Sequence, residues 1–431
     1  MNTRTALFIA HDYPPIRSAG AERILKFAQY LPEFGYRPLI LTTGRYGGLP
    51  TDQEMSVYRA GDLVHTLFSP LRRGRARGVA QEDQYRVATF SGQSRLGQLR
   101  DRLMIPDTKL GWLLPAVRLG RRLIAQHRPA LIFSSSPPET AHLIARRLSL
   151  GSGLPWVADL RDGWLFEPPN PALRRPPWRR ALEARLERQT VVHARAVVTA
   201  TGPIAADLRL RYPAATAAII TITNGYDRAE FAGLARQRAA DGFFRLVYTG
   251  SLSFSRQGTS ADAFFAGVAA LLRDDPATPL RVQIVGATSP AEQAAAQEYG
   301  LGSVVTFLPA VSRREAHQYQ LDADALLLIT AAGQRSVATL KLFDYIGAGV
   351  PILALAQDNA AAAIVEQYRL GVTVAADDPA AIARGLADLM RQQRAGATWP
   401  GFADAQEQFE RRRLTGQLAA LFDTFFERDH Q

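Results

Sequence analysis

The residue types best suited to chemistry cluster in the second half of the chain. The run Ser336-Val337-Ala338-Thr339-Leu340-Lys341-Leu342-Phe343-Asp344-Tyr345-Ile346-Gly347-Ala348-Gly349-Val350-Pro351 reads as one short helix with marked ends. Thr339 is placed as its N-cap, and Gly349 with Pro351 stops it. Lys341 then falls in the first turn and Asp344 three residues on, along the same face. A helix start offers free N–H groups and the positive end of the dipole, so an ammonium beside it makes a phosphate site. The carboxylate one turn further could accept from ribose hydroxyls. The bland alternative is a surface Lys341–Asp344 pair worth roughly 0.2–0.5 kcal/mol. Upstream, Tyr248-Thr249-Gly250-Ser251-Leu252 ends an apolar run and Arg256 follows. Gly250 would let a diphosphate approach the backbone, and the Arg256 guanidinium could hold it bidentately.

The first half offers three further candidates. His11-Asp12-Tyr13-Pro14-Pro15 and Ser18-Ala19-Gly20-Ala21-Glu22-Arg23 lead into an apolar-periodic stretch through Ile24, Phe27 and Leu31. A small-residue loop opening a helix can aim backbone N–H groups at an anion; it can equally be an ordinary strand-to-helix turn. The dinucleotide pattern GxGxxG is absent there, which removes the best support for a nicotinamide or flavin enzyme. Ser134-Ser135-Ser136-Pro137-Pro138-Glu139 and Val157-Ala158-Asp159-Leu160-Arg161-Asp162-Gly163-Trp164 each follow an apolar run, where open α/β sheets place ligands. Asp159, Arg161 and Asp162 could bind acceptor hydroxyls or satisfy one another as an ion-pair cluster. Asp322-Ala323-Asp324 invites a metal reading, but its place just before an apolar run favours a turn cap.

These residues must be positioned by alternating strands and helices, the pattern of a parallel α/β protein. Strands are expected at 6–10, 38–42, 130–134, 156–159 and 196–200, then at 245–248, 281–285, 304–308, 325–329, 352–355 and 372–375. Between the two series lies the turn-forming Asn224-Gly225-Tyr226-Asp227, which sets the expected domains at 1–225 and 226–400. Residues 68–112, rich in arginine and weakly periodic, are expected to form a basic insertion. In the segment 401–431, Leu414, Leu418, Leu421 and Phe422 recur at helical spacing and should pack back on the body. The length of 431 residues suits two such domains. Cysteine is absent, which excludes disulfides, thiolate metal sites and cysteine nucleophiles. No apolar run is long enough to span a membrane or resembles a secretion signal, so a cytoplasmic protein is expected, with any membrane contact peripheral. The net charge of +11 favours acidic partners. Its clusters, one from Arg72 to Arg122 and one of Arg174, Arg175, Arg179 and Arg180 around Trp178, suit an anionic lipid or lipid-phosphate acceptor, or a plain solvated surface. No nucleic-acid module is recognisable.

Taken together, "HDYPP", "GAER", "SSSPPE", "PWVADLRDGW", "TNGYD", "YTGSL" and "ATLKLFDYIGAGVPILAL" resemble the family 4 glycosyltransferases across nearly the whole chain. The resemblance implies the GT-B fold, two Rossmann-like parallel-sheet domains facing a central cleft, and a retaining, metal-independent hexosyltransferase with no cofactor beyond its nucleotide-diphosphate-sugar co-substrate. It implies donor contacts from Gly20, Gly250, Ser251, Arg256, Leu308, Ser336, Thr339, Leu340, Lys341 and Asp344, with Arg256 and Lys341 as the phosphate clamp. The family's acidic pair, eight residues apart, corresponds here to Ser336 and Asp344, departing from the usual glutamates. Ser251 stands where relatives tend to carry an arginine, and Arg161 where many carry a histidine. Arg161 cannot act as a base, so Asp162 or His11 becomes the group that orients the acceptor, with Tyr13, Ser136, Asp159 and Trp164 as acceptor contacts. The acceptor class implied is a lipid-linked or other glycan in cell-envelope or exopolysaccharide synthesis. An epimerase or phosphorylase on the same scaffold, or a non-catalytic binding partner, are the rival classes.

Overall fold

The computed structural model describes residues 3–47, 56–64, 103–167, 176–237, 241–252, 261–330 and 333–427. They form two compact units, Met1–Thr223 with Leu414–Gln431, and Asn224–Arg413. The first contains β1 (Arg4–Ala10), α1 (Ala19–Tyr30), β2 (Tyr36–Thr43), β3 (Val57–Ala60), α2 (Leu113–His127), β4 (Leu131–Ser136), α3 (Thr140–Ser152), β5 (Trp156–Leu160), α4 (Pro177–His193), β6 (Ala196–Thr199), α5 (Gly202–Arg211) and β7 (Ala218–Thr221). Its strands run parallel in the order β3-β2-β1-β4-β5-β6-β7.

The second unit contains β8 (Phe244–Thr249), α6 (Asp262–Asp274), β9 (Leu280–Val285), α7 (Pro290–Glu298), β10 (Val305–Leu308), α8 (Arg313–Asp322), β11 (Ala325–Ile329), α9 (Leu340–Ala348), β12 (Ile352–Leu355), α10 (Ala360–Gln367), β13 (Gly371–Val374), α11 (Pro379–Arg394) and α12 (Gly401–Gln408). Its parallel order is β10-β9-β8-β11-β12-β13. Both sheets are doubly wound. The strand order reverses between β1 and β4 in one and between β8 and β11 in the other, and the crevice at such a reversal is where this architecture holds ligands.

The central strands are apolar on both faces because helices cover both. In β1, Leu7 and Ile9 enter one core while Ala6, Phe8 and Ala10 enter the other. In β11, Ala325, Leu327 and Ile329 face one core while Leu326 and Leu328 face the opposite one. Two edge strands, β3 and β7, were not foreseen. Each has four residues, and β7 is only half-buried, so neither carries an apolar run of the length that marks the central strands.

The returning C-terminal segment starts later than residue 401. Phe402 and Ala405 of α12, with Phe409, are buried in the second unit's core. Only from Leu414 does α13 (Arg411–Asp423) lie on the first, where Leu414, Leu418, Leu421 and Phe422 join Phe8, Tyr36 and Phe133. Asp423 fastens that helix, accepting from Tyr36 Oη at 2.7 Å and from Arg4 at 3.3 Å. Of the expected insertion, residues 68–102 lie outside the described residues. Its end is built into the first unit: Trp112 is fully buried, and the Asp107 carboxylate accepts from Thr140 N at 2.8 Å and from Lys109 N at 2.7 Å.

One buried ion pair ties the first unit together. Arg23 of α1 and Asp159 of β5 are both fully buried; Arg23 Nη2 donates to Asp159 Oδ1 at 2.8 Å and Nε to Oδ2 at 3.1 Å. The same guanidinium donates to the carbonyls of Ile222 and Thr223, both at 2.8 Å. Ser135 Oγ completes the carboxylate's shell at 2.7 Å. Removing the cation leaves a buried carboxylate uncompensated. Arg23→Met is therefore expected to cost about 3–5 kcal/mol in urea unfolding followed by circular dichroism, and a loss under 1 kcal/mol would contradict this role.

Candidate functional site

In the second unit the site begins where β8 ends. Gly250 has φ +108°, a conformation open to glycine, and a Cβ there would come within 2.7 Å of Lys341 Cε. Lys341, in the first turn of α9, lies over the Tyr248 ring at 4.2 Å from its centroid and donates to the Tyr248 hydroxyl. No carboxylate among the described residues pairs with it. Burial without compensation brings its ammonium down to about 8. Thr339 has N-cap backbone geometry, yet its side chain makes no cap hydrogen bond, and its Oγ1 is buried without a partner. Ser251 Oγ is likewise buried and unpartnered. A desolvated cation, the open start of a helix and two uncommitted hydroxyls thus share one end of the sheet, beside the strand-order reversal. That set suits a diphosphate.

Behind this cluster, α8 supplies the walls. Gln320 Nε2 donates to Thr249 Oγ1 at 2.8 Å and Thr249 N donates to Tyr345 Oη at 3.3 Å, so the strand end is pinned from both helices. Asp344 is partly exposed and accepts from Arg313 Nη2 at 3.3 Å on Oδ1. It does not pair with Lys341; the surface Lys–Asp pair considered as an alternative is therefore not formed. Leu308 and Leu340 are half-buried, and Ser336 lies in the turn before Val337, whose carbonyl accepts from Ala361 N at 2.9 Å. Arg256, the other half of the expected clamp, lies outside the described residues. Asp322 and Asp324 act as backbone caps: Asp322 accepts from Gln237 N at 2.6 Å, and Asp324 from Arg245 N at 2.9 Å and Arg236 at 3.1 Å.

In the first unit, His11 is fully buried, its Nδ1 bonded to Asp12 Oδ1 at 2.9 Å and its Nε2 without a partner. Asp12 in turn accepts from Ser18 Oγ at 3.1 Å, and Ser18 caps α1 through Ala21 N. Arg161 donates through Nε to the Ser136 carbonyl at 2.9 Å and also to the Pro137 carbonyl. Its guanidinium fills the space a Cβ at Gly20 would need, 1.3 Å from Nη1. The start of α1 therefore presents a cation of its own, and glycine is the residue that fits beneath it. Asp162 is half-buried and bonds to no described residue, which leaves its carboxylate available.

The acceptor set needs correcting. Asp159 is spent on Arg23 and Ser135 and is a structural residue. Tyr13, Ser136 and Trp164 are each 2% exposed, and Trp164 packs beside His142, whose ring is deeply buried and pushed down to about 3.

Two family models match the sequence, "Glycosyl transferase 4-like domain" over residues 18–225 and "Glycosyl transferases group 1" over residues 244–392. The chain belongs to the family 4-like glycosyltransferases. Solved structures share its fold at low identity. Sucrose-phosphate synthase from Thermosynechococcus elongatus superposes with TM-score 0.66 at 16% identity, covering 98% of each chain. Anabaena HepE, solved with UDP and glucose, gives 0.62 at 15%, covering 98% of this chain and all of that one. A putative UDP-N-acetylglucosamine 2-epimerase from Listeria monocytogenes gives 0.57 at 13%, covering 99% and 98%. A comparison with curated protein sequences returns no match.

The fold brings together Gly250, Thr339 and Lys341, the residues that local motifs had marked as a phosphate site. Arg313, His317 and Gln320 were missed. The signal available was Ser312-Arg313-Arg314-Glu315, a capping box that starts α8 and is formed in the structure, with Arg313 and His317 one turn apart beyond it. A diphosphate held at Lys341 would select the ammonium, whose titration burial brings down to about 8. Affinity for a nucleoside diphosphate should be flat below that point and fall by up to about tenfold per pH unit beyond it. Lys341→Arg, charged throughout, should abolish the fall. Calorimetric titration between pH 7 and 10 checks this; the same slope in both proteins would reject the assignment.

Proposed function

We propose that this glycosyltransferase takes a sugar from a nucleotide-diphosphate-sugar donor held at Gly250, Ser251, Thr339 and Lys341 and transfers it, with retention of configuration, to a hydroxyl of a lipid-linked or glycan acceptor in cell-envelope or exopolysaccharide synthesis. The observation that carries the reading is the desolvated, carboxylate-free Lys341 ammonium at the open start of α9. Likeness in fold to a protein solved with UDP and glucose supports the donor class. In the transfer, the bond from the anomeric carbon to the diphosphate oxygen breaks and one to the acceptor oxygen forms on the same face. The acceptor proton leaves with the diphosphate. Negative charge grows on the departing oxygens, so fixed N–H groups and the Lys341 cation stabilise the transition state more than the ground state. Cationic side chains and helix ends then do the neutralising that a divalent metal would otherwise supply. Asp162 and His11 orient the acceptor.

The first unit also supports a peripheral membrane contact. Every acid of α4 is turned inward, Glu183 to Arg179 at 2.9 Å and Glu187 to Arg211 and to Tyr212 Oη at 2.7 Å. Arg179, expected in the basic cluster, is thereby buried. The outward face keeps Arg185 and Arg188 with Trp178, Leu182 and Val192, which are 53%, 40% and 46% exposed. Cations and an interfacial tryptophan on one acid-free face suit anionic headgroups. No helix among the described residues is long and apolar enough to cross a membrane.

Two experiments test these readings. Incubation with UDP-, GDP- and ADP-sugars and a polyprenyl-phosphate-linked glycan should yield product with one donor in the presence of EDTA. Lys341→Ala should lower its rate by about 100- to 1000-fold, or about 2.7–4 kcal/mol, with unfolding unchanged. Wild-type rates in the variant would remove Lys341 from the mechanism, and conversion of the donor without acceptor would favour an epimerase. Separately, sedimentation with phosphatidylglycerol vesicles should fall at least about fivefold in Trp178→Ser/Leu182→Ser and be absent with phosphatidylcholine alone; equal binding by both proteins would place the contact elsewhere.

A further inference from the structure

Resting on the donor-site reading above, we propose that His317 is a positioning residue for ribose recognition: together with Arg313 it holds one oxygen of Asp344 so that the other meets the donor's ribose hydroxyls. His317 lies on α8, one turn beyond Arg313 and on the same side, and is 1% exposed. Its ring stacks on Phe231, with centroids 4.3 Å apart and planes 18° from parallel, so its orientation is set by packing. Neither ring nitrogen has a hydrogen-bond partner among the described residues. A buried imidazole with both nitrogens idle calls for a partner.

The nearest charged group is the Asp344 carboxylate, with Nε2 3.8 Å from Oδ1. That is beyond a hydrogen bond but closes with a movement under about 1 Å. Arg313 Nη2 reaches the same Oδ1 at 3.3 Å, while Arg313 Nε is anchored on Glu230 at 2.8 Å. Both neighbours therefore address Oδ1, and no described residue donates a hydrogen bond to Oδ2. A carboxylate gripped on one oxygen cannot swing freely about its side-chain bond. Its free oxygen keeps a fixed direction, one turn along α9 from the Lys341 ammonium. This is the arrangement needed for a short side chain to read a hydroxyl beside a diphosphate. The missing methylene relative to glutamate is compensated by clamping.

The test compares affinities for whichever of UDP, GDP and ADP binds with those for its 2′-deoxy and 3′-deoxy forms, by calorimetry. The wild-type protein should prefer the ribose form over at least one deoxy form by about ten- to hundredfold. His317→Phe keeps the stacking on Phe231 and removes both nitrogens; it should bring that preference to within about threefold, mainly by weakening the ribose form, while inorganic pyrophosphate binds as before. His317→Gln, which can place an amide near the Nε2 position, should recover part of the preference and also serves if the phenylalanine variant does not fold. A preference unchanged in both variants, or a loss shared equally by ribose and deoxy forms and by pyrophosphate, would overturn the positioning role. Absence of binding by every nucleoside diphosphate to the wild-type protein would instead overturn the donor-site reading on which it rests.

Discussion

The structure of the second unit turns on a cation kept out of water with no counter-charge among the described residues. Lys341 is held between the Tyr248 ring and the bare backbone of Gly250, at a helix end that is already electropositive. The Tyr248 ring and hydroxyl offset only part of the cost of such an arrangement; burial disfavours the ammonium and the dipole adds to the penalty. It makes sense as a site preorganised for an anion, whose arrival supplies the missing charge. The features around it follow. Gly250 must lack a side chain to leave room, Thr339 and Ser251 keep hydroxyls uncommitted, and Tyr345 and Gln320 brace the strand end beside the lysine.

The first unit solves the opposite problem. There the buried charges are compensated internally. Arg23 and Asp159 neutralise each other and fasten α1, β5 and the backbone at Ile222 and Thr223, the last residues before the second unit. What this leaves unpaired is informative. Asp162 has no bond to a described residue, and His11 keeps one nitrogen idle among them while Asp12 and Ser18 fix the other side of its ring and the start of α1. Arg161, which cannot serve as a base, instead brings positive charge against Gly20.

Much of this was legible in the residue order. Apolar runs bounded by turn residues located the central strands, because strands covered on both faces must be apolar throughout. The short edge strands escaped, since Ala218–Thr221 is only half-buried and needs no such run. Local motifs announced Gly250, Thr339 and Lys341, whose geometry depends on neighbours a few residues away. The errors came where packing decides which partner a charged side chain meets. Asp159 looked like a ligand for substrate because nothing nearby names Arg23, 136 positions earlier, as its counter-ion. Arg179 looked like part of an exposed basic patch, although Glu183 one turn later had offered it a partner. His317 and Arg313 were passed over, and only the packing of α8 on α9 brings them to Asp344.

The most direct measurement is of the Lys341 proton itself. In protein labelled with ¹⁵N-lysine, the Lys341 side-chain resonance, assigned by its loss in Lys341→Arg, can be titrated with and without a saturating nucleoside diphosphate. The account requires a midpoint near 8 in the free protein that moves upward by at least about one pH unit once the diphosphate supplies its charge. A midpoint that stays where it was on binding, or one already in the ordinary lysine range in the free protein, would contradict it.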